Sequence, residues 1–406
     1  MRDPNASHFL SVPPEIREQI YALILHPDAN RLFDKEDCTD YYDYRAALVL
    51  FKLNRQIYIE SRKVFRDLNT FVKIETPWPE AQTHVAREGH VPMIALGEKA
   101  ARFNGHRMTV SIDAAEDPMM HGDENRFLVL LPDLEKFTTM WFYSNLSHPG
   151  LNPQLRLDLS LRDPYTPDYE EKRMQKALQR QLILPFGMIK NLRSVSVAGD
   201  PKPLPSVEAE LREIQAVPLK SPEQCLREAI QFKLEGNTEL VNGNPRKALE
   251  LYDKSWLAMH VVIKGEKRHI HGDAFFGRDL REEPFIGKNG QSERLILRVQ
   301  LVANTCQAYL KLEDYKQCVF WGQRSIDMLR QAMGVDEGRD IPPEDEVVLG
   351  FPAANQMGKI YYRTAVAKKM MDDKAEARKL LRVASIYLPR DEFVKREVAA
   401  CALRLG

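Results

Sequence analysis

The chain alternates between stretches with helical spacing of apolar residues and stretches where apolar and polar residues change places at every step. Near the start, "FLSVPPEIREQIYALIL" carries Pro13 and Pro14, which suit a helix start because the backbone N–H there has no intrahelical partner. Ile16, Ile20, Leu23 and Ile24 then share one face. After the acidic, tyrosine-rich "DKEDCTDYYDY", the segment "ALVLFKLNRQIYIESRKVF" predicts one or two further amphipathic helices, and "NTFVKI" predicts a short strand. Four runs between 73 and 205 predict strands: "RMTVSID" (107–113), "FTTMWFY" (137–143), "LRLDLSL" (155–161) and "LRSVSVAG" (192–199). Three of the four alternate clearly. "EKRMQKALQRQLILPF" predicts a helix between the last two, and the order strand, helix, strand predicts a small α/β layer or a solenoid-like piece. "GDPKPLPSVEAE" (199–210) sets Pro201, Pro203 and Pro205 within five positions and reads as a linker. From about 221 onward the pattern is helical throughout. The chain therefore reads as mainly α, with a helical head at 1–72, an α/β middle region at 73–205, a linker at 206–222 and a helical domain at 223–406.

Within that last domain, "QFKLEGNTELVNGNPRKALELYDKS" (231–255) is a helix, a tight turn and a second helix. Gly236, Ala248 and Ser255 are small where two antiparallel helices would approach, and Tyr252 would fill the gap between them. The same register recurs at Cys306, Tyr309, Cys318 and Ser325, and again at Ala365, Ala377, Leu381, Ala384 and Pro389. The equivalent residues Gly236, Cys306 and Ala365 are 70 and 59 positions apart. A helix-turn-helix repeat has a period of about 34 residues, so each interval holds one repeat and an insertion. Helical periodicity breaks near 263–292 and near 333–352, which places the two insertions. The amphipathic "RDEFVKREVAACALRL" would cover the last repeat, since an open end of a stacked array leaves apolar surface wet.

On these residues, 223–404 resemble a three-repeat tetratricopeptide (TPR) domain of the co-chaperone kind, as in large immunophilins and chaperone-organising proteins. The resemblance implies a C-terminal α-solenoid of three TPR helical hairpins plus a capping helix, whose first helices line a groove. Its clamp subclass has Lys-x-x-Gly-Asn on the first helix, Asn before the Tyr of the second repeat, and Lys-x-x-x-Arg on the third. Here Lys233 and Asn237 stand in "KLEGN", Asn304 five residues before Tyr309, and Lys359 and Arg363 in "KIYYR". Spacing of i, i+4 puts each pair on one helix face. Three cations and two amides, with no carboxylate at the motif positions, suit an acidic peptide with a free terminus, because charge-assisted hydrogen bonds are short and strong. The resemblance implies that Lys233, Asn237 and Asn304 hold the terminal carboxylate, and that Lys359 and Arg363 hold the last acidic side chain and nearby backbone. The implied partner is the Glu-Glu-Val-Asp tail of heat-shock chaperones of the seventy- or ninety-kilodalton class. Cys306 and Gly322 depart from the usual repeat residues.

Residues 9–72, and more loosely those up to 200, resemble the F-box-like head common in fungal proteins. In that head a Pro-Pro-Glu-Ile helix precedes an Arg-Gln-Ile-Tyr helix and a short strand. The resemblance implies docking to an Skp-type adaptor of a cullin ubiquitin ligase through Leu10, Val12, Ile16 and Ile20. The competing role for these residues is closure of a small helical core. The long acidic loop departs from a compact F-box.

Composition narrows the remaining choices. With 58 Lys/Arg and 58 Asp/Glu the formal net charge is zero, so no global field favours nucleic acid or an anionic membrane, and neither is expected as a partner. The five cysteines (38, 225, 306, 318 and 401) never form C-x-x-C, which predicts a reducing compartment with thiols acting as small hydrophobes. The start of the sequence has no apolar run of signal-peptide length, and no window approaches ~20 uninterrupted apolar residues. The expected compartment is the cytosol or nucleus. "HIHGD" offers His269, His271 and Asp273 with no fourth ligand, a poor metal site. "MHGDE" (120–124) faintly resembles a metallophosphatase loop, but no companion motif follows. Trp141, Trp256 and Trp321 sit in apolar patterns and read as core. No phosphate loop, G-x-S-x-G elbow or kinase set is present, so no enzymatic role and no cofactor are expected. The leading expectation is an interaction adaptor. A scaffold without a carboxylate requirement comes second. An enzyme with its site in the α/β region comes third, with no residues to nominate.

Overall fold

The computed structural model describes residues 8–36, 39–78, 80–114, 125–265, 267–336 and 339–401. The chain is mainly α with one six-stranded sheet, and it divides into two compact units, Met1–Leu219 and Lys220–Gly406. "MHGDE" and Cys38 lie outside the described residues.

In the first unit, α1 (Pro14–Leu25) is followed by an antiparallel hairpin, β1 (Arg31–Asp34) and β2 (Thr39–Tyr42). A 3₁₀ helix (Ala47–Lys52) leads into α2 (Arg55–Leu68), which packs on α1. The Asn54 side chain caps α2 by accepting from the Ile57 N–H at 2.9 Å. The buried positions of α1 are Arg17, Tyr21 and Leu25, one turn apart, whereas Ile16, Leu23 and Ile24 are 44%, 74% and 38% exposed. A polar anchor sets this rotation. Arg17 ion-pairs with Glu60 of α2 and donates to the carbonyls of Leu10 and Val12, and the Tyr21 hydroxyl donates to Glu60 at 3.0 Å. The Arg17 hydrogen bonds pull the Glu60 carboxyl down to about 2.

The sheet follows: β3 (Phe71–Thr76), α3 (Ala81–Arg87), β4 (Ala95–Leu96), α4 (Gly97–Arg102), β5 (Met108–Asp113), β6 (Asn125–Leu130), α5 (Leu134–Ser147), β7 (Arg156–Arg162), α6 (Lys176–Ile183), β8 (Ser194–Asp200) and α7 (Pro205–Ala216). The strand order is β4-β6-β3-β5-β7-β8, with β3/β5 and β7/β8 parallel and the other pairs antiparallel. The alternating runs at 107–113, 155–161 and 192–199 are strands β5, β7 and β8, as their pattern predicts. Residues 137–143 are not a strand: they lie within α5. Leu134, Phe137, Thr138, Trp141 and Asn145 form a buried stripe of helical period on the sheet, and this tertiary burial overrides the strand preference of their aromatic and β-branched types. Trp141 donates its indole N–H to Asn152 at 2.9 Å. The expected linker at 206–222 is mostly α7, whose Val207 and Leu211 are fully buried in the sheet's core. The prolines before it mark a helix start, with Pro205 at the first position.

The second unit contains three helical hairpins: α8 (Pro222–Val241) with α9 (Pro245–Ala258), α11 (Gly290–Lys311) with α12 (Tyr315–Ala332), and α13 (Ala354–Met370) with α14 (Lys374–Tyr387). Helix α11 touches both α8 and α13, and α15 (Glu392–Cys401) packs on α14. A single apolar core runs through all three hairpins and includes Trp256 and Trp321. Ser221 and Gln224 form a capping box at the start of α8. The small residues sit where backbones approach. A Cβ at Gly322 would run into the Thr364 hydroxyl of α13, so packing requires a residue without a side chain there. Cys306 and Cys318 are fully buried thiols in the same core, and the four described cysteines are free. The first insertion holds a hairpin, β9 (Val261–Lys264) and β10 (Lys267–Ile270), and the short helix α10 (Asp273–Phe276). Val261, Phe276, Leu280 and Phe285 tie it into the core. Glu346 anchors the second insertion by accepting from the Tyr361 hydroxyl at 2.8 Å and from Arg330 at 3.0 Å. Among the described residues, no helix is long and apolar enough to cross a membrane.

Candidate functional site

Helices α8, α11 and α13 lie side by side with α11 in the middle, and each contributes polar residues at i, i+4 spacing. Lys233 and Asn237 stand on α8, Gln300 and Asn304 on α11, and Lys359 and Arg363 on α13. Four of the five expected site residues form a connected cluster. Asn304 donates its amide N–H to the Asn237 carbonyl oxygen at 2.6 Å. That oxygen also accepts from the Tyr252 hydroxyl at 2.9 Å. Lys233 donates to the side-chain oxygen of Gln300, one turn before Asn304. Arg363 donates to the carbonyl of Ala303, next to Asn304, and lies within electrostatic reach of Tyr252. Lys359 stands apart. It is exposed, one turn before Arg363, and makes no hydrogen bond or ion pair among the described residues.

The donors outnumber the acceptors. The Asn237 carbonyl takes two hydrogen bonds, so its own amide N–H groups are directed elsewhere, and they meet no acceptor among the described residues. Lys233 spends one of three N–H groups within the protein and Arg363 one of five. No carboxylate pairs with Lys233, Lys359 or Arg363 among the described residues. Burial lowers the pKa of both the Lys233 ammonium and the Arg363 guanidinium, because a desolvated cation without a counter-charge is disfavoured. Burial likewise pushes the Tyr252 hydroxyl up to about 12, so it remains a donor to Asn237 across the physiological range. Chemically this is a polar surface short of one or two negative charges.

The sequence reading missed Gln300 as the holder of Lys233 and the Tyr252 hydroxyl as the orienter of Asn237. Gln300 was detectable, since it precedes Asn304 by four residues on the same face. In the head, Ile16 is exposed, while Leu10, Val12 and Ile20 are half-buried. Val49, Leu53 and Ile59 add further exposed apolar area on the neighbouring elements.

Two other places gather polar side chains. A cavity of about 310 Å³ at the ends of β7 and β8 is lined by Arg162, Asp163, Asp168, Lys172 and Asp200. Its carboxylates are ion-paired: Asp163 with Arg107, while Asp168 and Asp200 share the Lys172 ammonium at 2.8 and 3.3 Å. The hydrogen bond from Lys172 holds Asp168 below its usual range, so the cavity nominates no general acid. His269 and His271 stack at 6.3 Å, while Asp273 turns to Arg294. Among the described residues no group of three or more His, Cys, Asp or Glu side chains is placed to hold a metal. No family model matches the chain, and no solved structure matches it.

Proposed function

We propose that residues 220–406 are a TPR-type unit of the co-chaperone kind, and that α8, α11 and α13 bind the acidic C-terminal tail of a cytosolic heat-shock chaperone, of the Glu-Glu-Val-Asp type. The protein would then act as a non-enzymatic adaptor. The supporting observation is the imbalance of charge: three cations and two amides on adjacent helices, with spare donors and no carboxylate partner among the described residues. In this reading the spare N–H groups of Asn237, Asn304 and Lys233 converge on the terminal carboxylate. Arg363 and the exposed Lys359 take the last acidic side chain. Each charge-assisted bond of this kind contributes about 1.5–3 kcal/mol, or about ten- to a hundredfold in affinity. The half-buried cations gain most, because they are desolvated before the ligand arrives. Calorimetric titration of the full chain with an acidic tail peptide tests this. The free-acid peptide should bind at least tenfold more tightly than its C-terminal amide. Equal affinities would instead favour a surface that takes internal segments of other proteins.

A second reading concerns the head, which leaves Ile16, Leu23 and Ile59 exposed at 44%, 74% and 57%. Such a surface suits an F-box substrate receptor of a cullin ubiquitin ligase, docking an Skp-type adaptor while α8, α11 and α13 take other protein segments. A stable complex between the purified chain and a purified Skp-type adaptor, lost in Ile16→Asp, would support it. Failure of the two to co-elute would remove it.

A further inference from the structure

The first insertion folds its hairpin back so that four arginines gather: Arg268 on β10, Arg294 and Arg298 on α11, and Arg324 on α12. Arg268 lies 5.5 Å from the centroids of both Trp256 and Trp321, whose rings stack at 6.1 Å, and it feels the charges of Arg324 and Arg298. Arg294 is fully buried and well satisfied. It donates to the carbonyls of Met259 at 3.0 Å and His271 at 2.6 Å, and to Asp273 at 3.1 Å. Arg298, one turn further along α11, is different. Its Nε is shut off from water and has no hydrogen-bond acceptor among the described residues. Among the described residues, Asp273 is the carboxylate set against Arg294 and Arg298. Burial and mutual repulsion push Arg268 and Arg294 down to about 10. A buried donor on a charged group with no acceptor is unusual in a folded protein and calls for a counter-group. Arg268 and Arg298 keep part of their guanidinium-bearing side chains in solvent, so a counter-charge can approach them from outside even though the Arg298 Nε itself is covered.

We propose that Arg268 and Arg298 form a binding site for a phosphate-bearing anion. Guanidinium forks match phosphate oxygens in pairs, and two of them within electrostatic reach of each other favour a ligand with more than one negative charge. The site is separate from the peptide surface. Arg298 precedes Gln300 by two residues and so lies about 160° around α11 from it, at 3.6 residues per turn.

The test is a thermal titration of the full chain with inorganic phosphate and with inorganic tripolyphosphate, against chloride at equal ionic strength. Tripolyphosphate should raise the midpoint saturably. Arg298→Gln should weaken that response at least tenfold, with an unchanged or higher midpoint in phosphate-free buffer, because it removes an unmet charge. Arg298→Lys should recover only part of the response, since it restores charge without the fork. A parallel sedimentation arm uses phosphatidylcholine vesicles with and without a phosphoinositide. Binding confined to phosphoinositide vesicles and lost in Arg298→Gln identifies a lipid headgroup as the source, and binding to tripolyphosphate alone identifies a free anion. The proposal is overturned by a response no larger than that of chloride with no phosphoinositide-dependent sedimentation, by a response unchanged in both Arg298→Gln and Arg268→Gln, or by an Arg298→Gln midpoint several degrees lower without phosphate.

Discussion

Gly236→Ala couples the packing of the second unit to its polar surface. Gly236 faces the ring of Tyr252, which is 1% exposed. A Cβ there would lie 2.5 and 2.8 Å from two ring carbons and 3.2 Å from the Ala248 carbonyl oxygen. Carbon atoms rest about 3.5–4 Å apart, so the ring must shift by roughly 1 Å. Overpacking of this kind costs about 1–3 kcal/mol, and alanine in a helix interior returns up to about 1 kcal/mol relative to glycine. The expected net loss is about 1–2 kcal/mol, or about 2–8 °C in the midpoint of a unit this size. The displaced ring also carries its hydroxyl away from Asn237, now at 2.9 Å, so peptide affinity should fall with stability. Calorimetry of the full chain gives the midpoint, and hydrogen exchange of residues 222–258 localises the effect. Tyr252→Leu makes room for the new methyl, so the double variant should be less destabilised than the sum of the single ones by at least about 1 kcal/mol. Additivity within about 0.5 kcal/mol, or a raised midpoint in Gly236→Ala, would refute this packing argument.

Three further outcomes are expected. Lys359→Glu should lower affinity for an acidic free-terminus peptide at least tenfold, with stability unchanged within about 0.5 kcal/mol because the side chain is exposed and unpaired; circular dichroism and titration check both halves, and a loss of fold would contradict it. Glu60 titrates at about 2 when folded against 4.5 for the ordinary carboxyl, so its stabilisation is complete above about 4.5 and is lost as pH falls toward 2. Glu60→Gln should flatten the acid side of stability measured by urea unfolding between about pH 5 and pH 3; parallel curves would show that the Arg17 pair does not act. Phe276→Ala, at a fully buried position of the first insertion, should cost about 3–5 kcal/mol in urea unfolding, and a loss below about 1 kcal/mol would mean the insertion is not part of the core.

How far the sequence discloses this molecule depends on how local each constraint is. Close approach of helices demands small residues at fixed register, so Gly236, Ala248, Cys306 and Ala365 reveal the hairpins directly. Strands β5, β7 and β8 alternate because one face is buried, and the alternation is visible. Strand β6 carries the run "FLVL" with no alternation, since all four of those residues are buried, and short apolar runs do not declare their type. Residues 137–143 mislead because helix or strand is decided there by what Trp141 and Phe137 pack against. The i, i+4 pairs at 233/237 and 359/363 are local and legible. The roles of Tyr252 and Gln300 are not, since each acts across helices. The α1 rotation and the arginines around the inserted hairpin are likewise tertiary facts: Arg17 and Arg298 read as ordinary surface charges until Glu60, or the lack of an acceptor for the Arg298 Nε among the described residues, is seen.

The central claim is that amide and ammonium groups on α8 and α11 grip a terminal carboxylate. A double-mutant cycle measures this: full-chain affinities of wild type and Asn237→Ala for one acidic peptide as free acid and as C-terminal amide. If Asn237 donates to that carboxylate, the substitution weakens the free acid about ten- to a hundredfold and leaves the amide almost unaffected. If the two losses simply add, Asn237 does not touch the terminus and the claim fails.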